Sequence, residues 1–214
     1  MTTVLGSFLF AFASFFPVVN PLGGAMLFLS MTPDIDRATR ADLARRIAIY
    51  SFITLAFTLL AGAFVLSFFG ISIGVLRVAG GLVLLSAGWH ALNDQRSAAP
   101  DATSTTPRDL QRMAFFPFTL PLTVGPGTIA VATAIGTSSA HTVAEIVGTA
   151  LAAVAIVLLV WVCFRYCDRI NRAVGETGSE ALARVFAFIL ICVGVQVLWT
   201  GVVDLIGSLP AAVA

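Results

Sequence analysis

Charged side chains are missing from most of this 214-residue chain, and the gaps between them set its layout. Six runs hold no Asp, Glu, Lys or Arg: residues 1–33, 47–76, 78–93, 113–144, 146–164 and 185–203. A helix needs about 20 mainly apolar residues to cross a hydrocarbon layer of roughly 30 Å. The third run reaches that length if it begins near Ile71 and takes in Arg77; the others have it within their own limits. The pattern predicts an all-α polytopic membrane protein with six transmembrane helices. A signal peptide is a poor account of residues 1–33, which lack a basic start and are far too long an apolar run.

Composition agrees. The chain is 58% hydrophobic and 11% charged, with a mean hydropathy of +0.98, against roughly 25% charged residues in a soluble domain. An ordinary soluble enzyme cannot cover its surface with so little polarity. All twelve basic residues are Arg, balanced by eleven acidic ones, and no basic patch suits nucleic acid. Eleven of the twelve lie in the first, third and fifth connections, and only Arg77 lies on the other side. By the positive-inside rule the Arg-rich connections face the cytoplasm and both termini face outward, in a multi-pass protein.

Residues 94–109, rich in Ser, Thr, Pro and Asp, read as a flexible cytoplasmic linker within one transmembrane domain. It separates a first repeat, 1–93, from a second, 110–214. The string FFPxxxPL occurs at Phe15–Leu22 and again 100 residues later at Phe115–Leu122, followed by Gly23-Gly24 and by Gly125-Pro126-Gly127. A weaker echo joins the segments that begin at Arg77 and Arg184. Three spans separate the copies, so the second half is inverted relative to the first, a 3+3 arrangement common in secondary transporters.

Proline removes a backbone donor and glycine lets the chain leave helical geometry, so the first and fourth helices are expected to break near mid-membrane. Irregular backbone at that depth is tolerated only where protein or a water-filled cavity surrounds it. New helix starts near Gly23 to Ala25 and near Gly127 to Thr128 present positive dipole ends suited to a carboxylate. Freed carbonyls and the side chains of Asn20, Thr119, Thr123 and Thr128 can receive an ammonium group, and the glycines leave room for a small zwitterion. Pro-Gly kinks also serve close helix packing; their paired occurrence in inverted halves is what favours a site.

Other polar residues have plainer readings. Thr142-Val-Ala-Glu145 is a capping box opening the fifth helix. Asp204 reads as an interfacial charge, and Arg77 either pairs with an acid or snorkels outward. His90 and His141 fall on opposite faces of the membrane, so no metal site or other cofactor is implied. Cys163, Cys167 and Cys192 read as small buried hydrophobes in a reducing compartment. Ser51, Thr54, Thr58 and Gly62, like Gly148 and Ala152, form stripes suited to helix contact. Gln196 either lines a pathway or bonds across to another helix.

With FPVVNPLGG at 16–24, PLTVGPGT at 121–128 and RVAGGLVLL at 77–85, the chain resembles the MarC family, also called the small neutral amino acid transporter family, over nearly its whole length. The resemblance places Asn20, Pro21, Gly23, Gly24, Gly125, Pro126, Gly127 and Thr128 at motif positions. It implies bacterial or archaeal transport of a small neutral amino acid such as glycine or alanine across the cell's inner (cytoplasmic) membrane, coupled to a proton in preference to a sodium ion. Membrane lipid and further copies of the chain are the other partners considered. An exporter of amino acids or related metabolites is the nearest alternative. An intramembrane enzyme would need a cluster of His, Asp, Glu or Cys that the uncharged runs do not hold.

Overall fold

The structure, a computed structural model, describes residues 3–32, 35–93, 112–137 and 142–208. The linker 94–109 and His141 lie outside the described residues. The described residues form helices and no strands: α1 (Val4–Val19), α2 (Pro21–Ser30), α3 (Arg37–Phe68), α4 (Ile73–Asn93), α5 (Ala114–Thr123), α6 (Pro126–Gly136), α7 (Val143–Arg165), α8 (Cys167–Val174) and α9 (Glu176–Gly207).

Five segments are long and apolar enough to cross a membrane: Val4–Leu29, Arg37–Phe68, Ile73–His90, Val143–Arg165 and Arg184–Gly207. The fourth expected span, residues 113–144, does not form such a segment. It is divided between α5 and α6, because the residues preceding its prolines are driven out of helical geometry. The outer faces of the long helices carry large apolar side chains in the open, among them Leu60 at 87%, Phe64 at 73% and Phe68 at 76% exposure. Lipid covers such surface; water would not tolerate it.

Three packing relations organise the bundle. α4 lies along α9, α1 lies along α7, and α3 carries both α5 and α6 on one side and α7 on another. The α4–α9 contact is set by small residues at seven-residue intervals. Gly74, Gly81 and Gly88 of α4 meet Gly201, Gly194 and Ala187 of α9, respectively. A Cβ on Gly81 would stand 2.6 Å from the Leu198 nitrogen and 2.7 Å from the Gly194 oxygen, so the two backbones nearly touch. α3, at 32 residues, is about 48 Å long, which carries its Arg-rich first turns beyond a 30 Å hydrocarbon layer.

Candidate functional site

The first break is a single residue wide. α1 runs on through Pro17 and ends at Asn20, which sits in the left-handed region at φ 47°, ψ 62°. Asn is among the few side chains that accept this conformation. Its N–H donates to the Phe16 carbonyl, closing α1, while its Oδ1 accepts from the Gly23 N–H at 3.2 Å and so caps α2. Pro21 takes the first helical position, where its missing donor costs nothing. The break therefore falls at Asn20 and α2 begins at Pro21, ahead of the expected start, with Gly23 and Gly24 inside the new helix. With 16 residues before Asn20 and 10 after, it also lies off the centre of the span.

The second break is spread over the whole of α5. Phe116 (φ −129°, ψ 122°) and Leu120 (φ −113°, ψ 124°) are extended, each preceding a proline, and Gly125 is extended ahead of Pro126. The intervening turns are wound with five-residue hydrogen-bond steps. Three buried threonines serve that winding: Thr119 Oγ1 donates to the Ala114 carbonyl at 2.7 Å, Thr123 to Phe118 at 2.8 Å and Thr128 to Thr123 at 3.4 Å. Their hydroxyl protons are thus committed to the backbone, and what each offers a ligand is an oxygen lone pair, an acceptor suited to an ammonium group. α6 starts at Pro126 with no side-chain cap, in contrast to α2. The free positive dipole end is the one beside Gly127 and Thr128.

The helix that follows the first break meets the second through aromatics. Phe28 of α2 packs edge-on to Phe118 of α5, centroids 5.0 Å apart, and stacks on Phe164 of α7 at 4.9 Å. The motif glycines face different neighbours. A Cβ on Gly24 would press on the Phe164 ring at 3.2 Å, and one on Gly127 would meet Leu84 Cδ1 at 2.2 Å. Glycine at these places lets helices approach closely, and the space beside it is filled by Phe164 and Leu84. Pro21, Gly23, Gly24, Thr119, Thr123, Gly125, Gly127 and Thr128 are all buried, with Asn20 and Pro126 half-buried. Two further buried hydroxyls, Ser51 on α3 and Thr133 on α6, have no hydrogen-bond partner. Thr133, set against Gly62, has no motif to mark it in the sequence. An apolar groove of about 440 Å³ between α3 and α7 runs from Arg45 and Trp161 to Phe52 and Val154, and neither Ser51 nor Thr133 lines it.

An ion pair joins the halves at each end of the bundle. Arg40, 5% exposed, donates from Nη1 to both carboxylate oxygens of Asp168 at 2.7 and 2.9 Å. It also donates from Nε to Thr32 Oγ1 at 3.1 Å and from Nη2 to the Thr32 carbonyl. One guanidinium thus holds together the end of the first broken span, α3 and α8. Arg40 is one of the arginines counted above only for topology, and nothing in its local sequence distinguishes it from Arg37 or Arg45. At the other end, Arg77 pairs with Asp204, so of the two readings of Arg77 the paired one holds, and Asp204 is its partner.

The Thr142–Glu145 capping box is complete. Cys163 and Cys167 are buried, and burial with the nearby Asp168 carboxylate pushes the Cys167 thiol up to about 11, leaving it protonated and unreactive. Cys192 differs from expectation: it is exposed on the outer face of α9, as is Gln196, because α9 turns its small residues and not these toward α4. His90 is exposed and binds the carbonyl of Ser86. Among the described residues no group of three His, Cys, Asp or Glu side chains could hold a metal ion.

Long apolar helices, lipid-facing aromatics and two discontinuous segments make this an integral membrane protein. Residues 5–206 match the model described as "MarC family integral membrane protein", and the chain belongs to that family. It is 34% identical over 205 residues to the UPF0056 inner membrane protein MarC of Salmonella typhimurium strain LT2, covering 89% of this chain and 91% of the relative. Proteins of the same name from Citrobacter koseri and Escherichia coli SMS-3-5 are 34% and 33% identical over 202 residues, with the same coverage. No solved structure matches the chain significantly.

Proposed function

We propose that this protein is a secondary transporter of a small neutral amino acid, working by alternating access around the two broken segments. The observation that carries the reading is the exchange symmetry of the packing. If spans are taken as α1–α2, α3, α4, α5–α6, α7 and α9, swapping the first three for the last three turns the α1–α7 contact into the contact of α3 with α5 and α6, and returns α4–α9 and α3–α7 to themselves. Two inverted halves of three spans, six in all, pack in this way, and such halves rock about a site at their interface.

The chemistry of the breaks supports the substrate class. The uncapped start of α6 offers N–H groups to a carboxylate, and the threonine oxygens of α5, with the unpaired hydroxyls of Ser51 and Thr133, offer acceptors to an ammonium group. Burial of these groups corresponds to an occluded conformation, which opens only if the halves move. Arg40–Asp168 and Arg77–Asp204 then serve as closures at opposite ends, the Arg40 end facing the cytoplasm and both termini facing outward. Coupling to a proton in preference to sodium rests on the family resemblance alone.

Purified protein in proteoliposomes is expected to take up labelled glycine or alanine under a proton or sodium gradient, with uptake abolished in Asn20→Ala while folded protein is retained. Absence of uptake of both amino acids under every gradient overturns the reading.

A further inference from the structure

We infer that two copies of this chain associate in the membrane through the outer face of α9, with Gln196 at the centre of the contact. α9 carries two stripes with the 4,3 spacing of a coiled-coil seam. The inner stripe, Ala187, Ile191, Gly194, Leu198, Gly201 and Leu205, is occupied by α4, whose glycines touch each of these residues. The outer stripe is Val185, Ile189, Cys192, Gln196, Trp199 and Val203, two residues and so about 200° around the helix. All six of its members are exposed, and α4 lies on the opposite side.

Any face of a helix shows this spacing, and Phe188 and Val195 share the exposed surface, so the stripe marks where a second helix would lie without itself requiring one. The amide of Gln196 is the stronger indication. It stands 12 residues after Arg184 and 11 before Gly207, the middle of the apolar part of α9, and bonds none of the described groups. At that depth lipid offers neither donor nor acceptor, and an unsatisfied amide is costly. A carboxamide has both functions, so it is complementary to its own copy across a two-fold axis, and a single polar residue in an apolar seam fixes register. Two chains inserted with the same orientation place their α9 helices parallel about an axis normal to the membrane. Gln196 then faces Gln196 and Cys192 faces Cys192.

Cys192 is the exposed thiol of the three, with Cys163 and Cys167 buried, so mild oxidation of native membranes reports the contact directly. A dimer band is expected that persists in a Cys163→Ser/Cys167→Ser variant and disappears in Cys192→Ser. In detergent solution, Gln196→Leu is expected to weaken the dimer by about tenfold while leaving the monomer folded, since the side chain is exposed and its amide bonds none of the described groups. Leu60→Cys, an exposed position on α3 off the seam placed in a Cys192→Ser background, controls for chance collision. A protein monomeric at every concentration, cross-linking through Leu60→Cys as efficient as through Cys192, or a Gln196→Leu dimer of unchanged affinity would each overturn the inference. None of these readouts depends on transport.

Discussion

The two halves of this protein start their first span from the same string and break it by different means. In the first half one amide does the work: Asn20 ends α1, turns the chain through the left-handed region and caps α2. In the second half Leu120 occupies the aligned position, has no polar group and cannot enter that region cheaply, so the chain extends before each proline and threonine hydroxyls occupy the carbonyls left over. The first break is compact and self-capped, and the second is long and leaves the start of α6 uncapped. The same string of residues thus yields one anchoring element and one that keeps backbone groups available. The halves are unequal in charge as well, since each inter-half ion pair takes its Arg from the first half and its Asp from the second.

The sharpest way to break this relation is at Arg40. Replacing it with Gln leaves a carboxylate facing the protein interior and two Thr32 acceptors without their donor. Loss of one member of such a buried pair costs about 3 kcal/mol, visible as a lowered denaturation midpoint in detergent. Asp168→Asn is expected to cost a comparable amount, because it keeps the Thr32 bonds but leaves the Arg40 charge, only 6% exposed, without its carboxylate. Equal and negligible losses would mean the halves are not held at this end.

Where the halves touch backbone to backbone, Gly81→Val tests how rigid their contact is. Its side chain would collide with the Leu198 nitrogen and Gly194 oxygen, atoms that cannot move aside without parting α4 from α9. An expected loss of about 2–3 kcal/mol follows. Gly70→Val is the control for added bulk, since nothing lies within 4 Å of a Cβ there, although its positive φ carries a strain cost of its own. A Gly81→Val protein as stable as the parent would show the two halves sliding freely.

The breaks themselves can be compared directly. Asn20→Ala removes both the cap and the left-handed preference, for an expected 1–2 kcal/mol or so. Thr119→Val removes one hydroxyl from a carbonyl in a segment that has two more such bonds, for about 1 kcal/mol, and Thr119→Ser should restore it. If Thr119→Val proves the more damaging, the long break is the stiffer one and the contrast drawn above is reversed.

Part of this layout was legible in the sequence. Five of the six spans expected from the absence of charge are long apolar helices, and both proline-bearing segments are broken, as prolines that apolar composition does not supply had indicated. What escaped was whatever depends on a partner distant in the chain. Arg40 reads as one more interfacial arginine until α8 brings Asp168 to it across 128 residues. Gly127 reads as room for a ligand until Leu84 fills the space, and Thr119 as a free hydroxyl until the winding of α5 claims its proton. The seven-residue spacing of Gly74, Gly81 and Gly88 is plain in the sequence, yet its meaning requires the matching spacing on α9.

The smallest expected effect is at the outer ion pair, and its smallness is informative. Arg77 and Asp204 are 27% and 38% exposed, against 6% for the Arg40 side chain, so water and headgroups solvate them when they part. Arg77→Gln is expected to cost under about 1 kcal/mol, within the range of exposed pairs. Exposure also makes the pair sensitive to salt, which screens it, whereas Arg40–Asp168 is shielded. Raising ionic strength should therefore shrink the Arg77→Gln effect and leave that of Arg40→Gln nearly unchanged. The Arg40 end is thus the more firmly joined of the two and the Arg77 end the less. If instead Arg77→Gln destabilised as strongly as Arg40→Gln at every salt concentration, both ends would be equally fastened and that asymmetry would be lost.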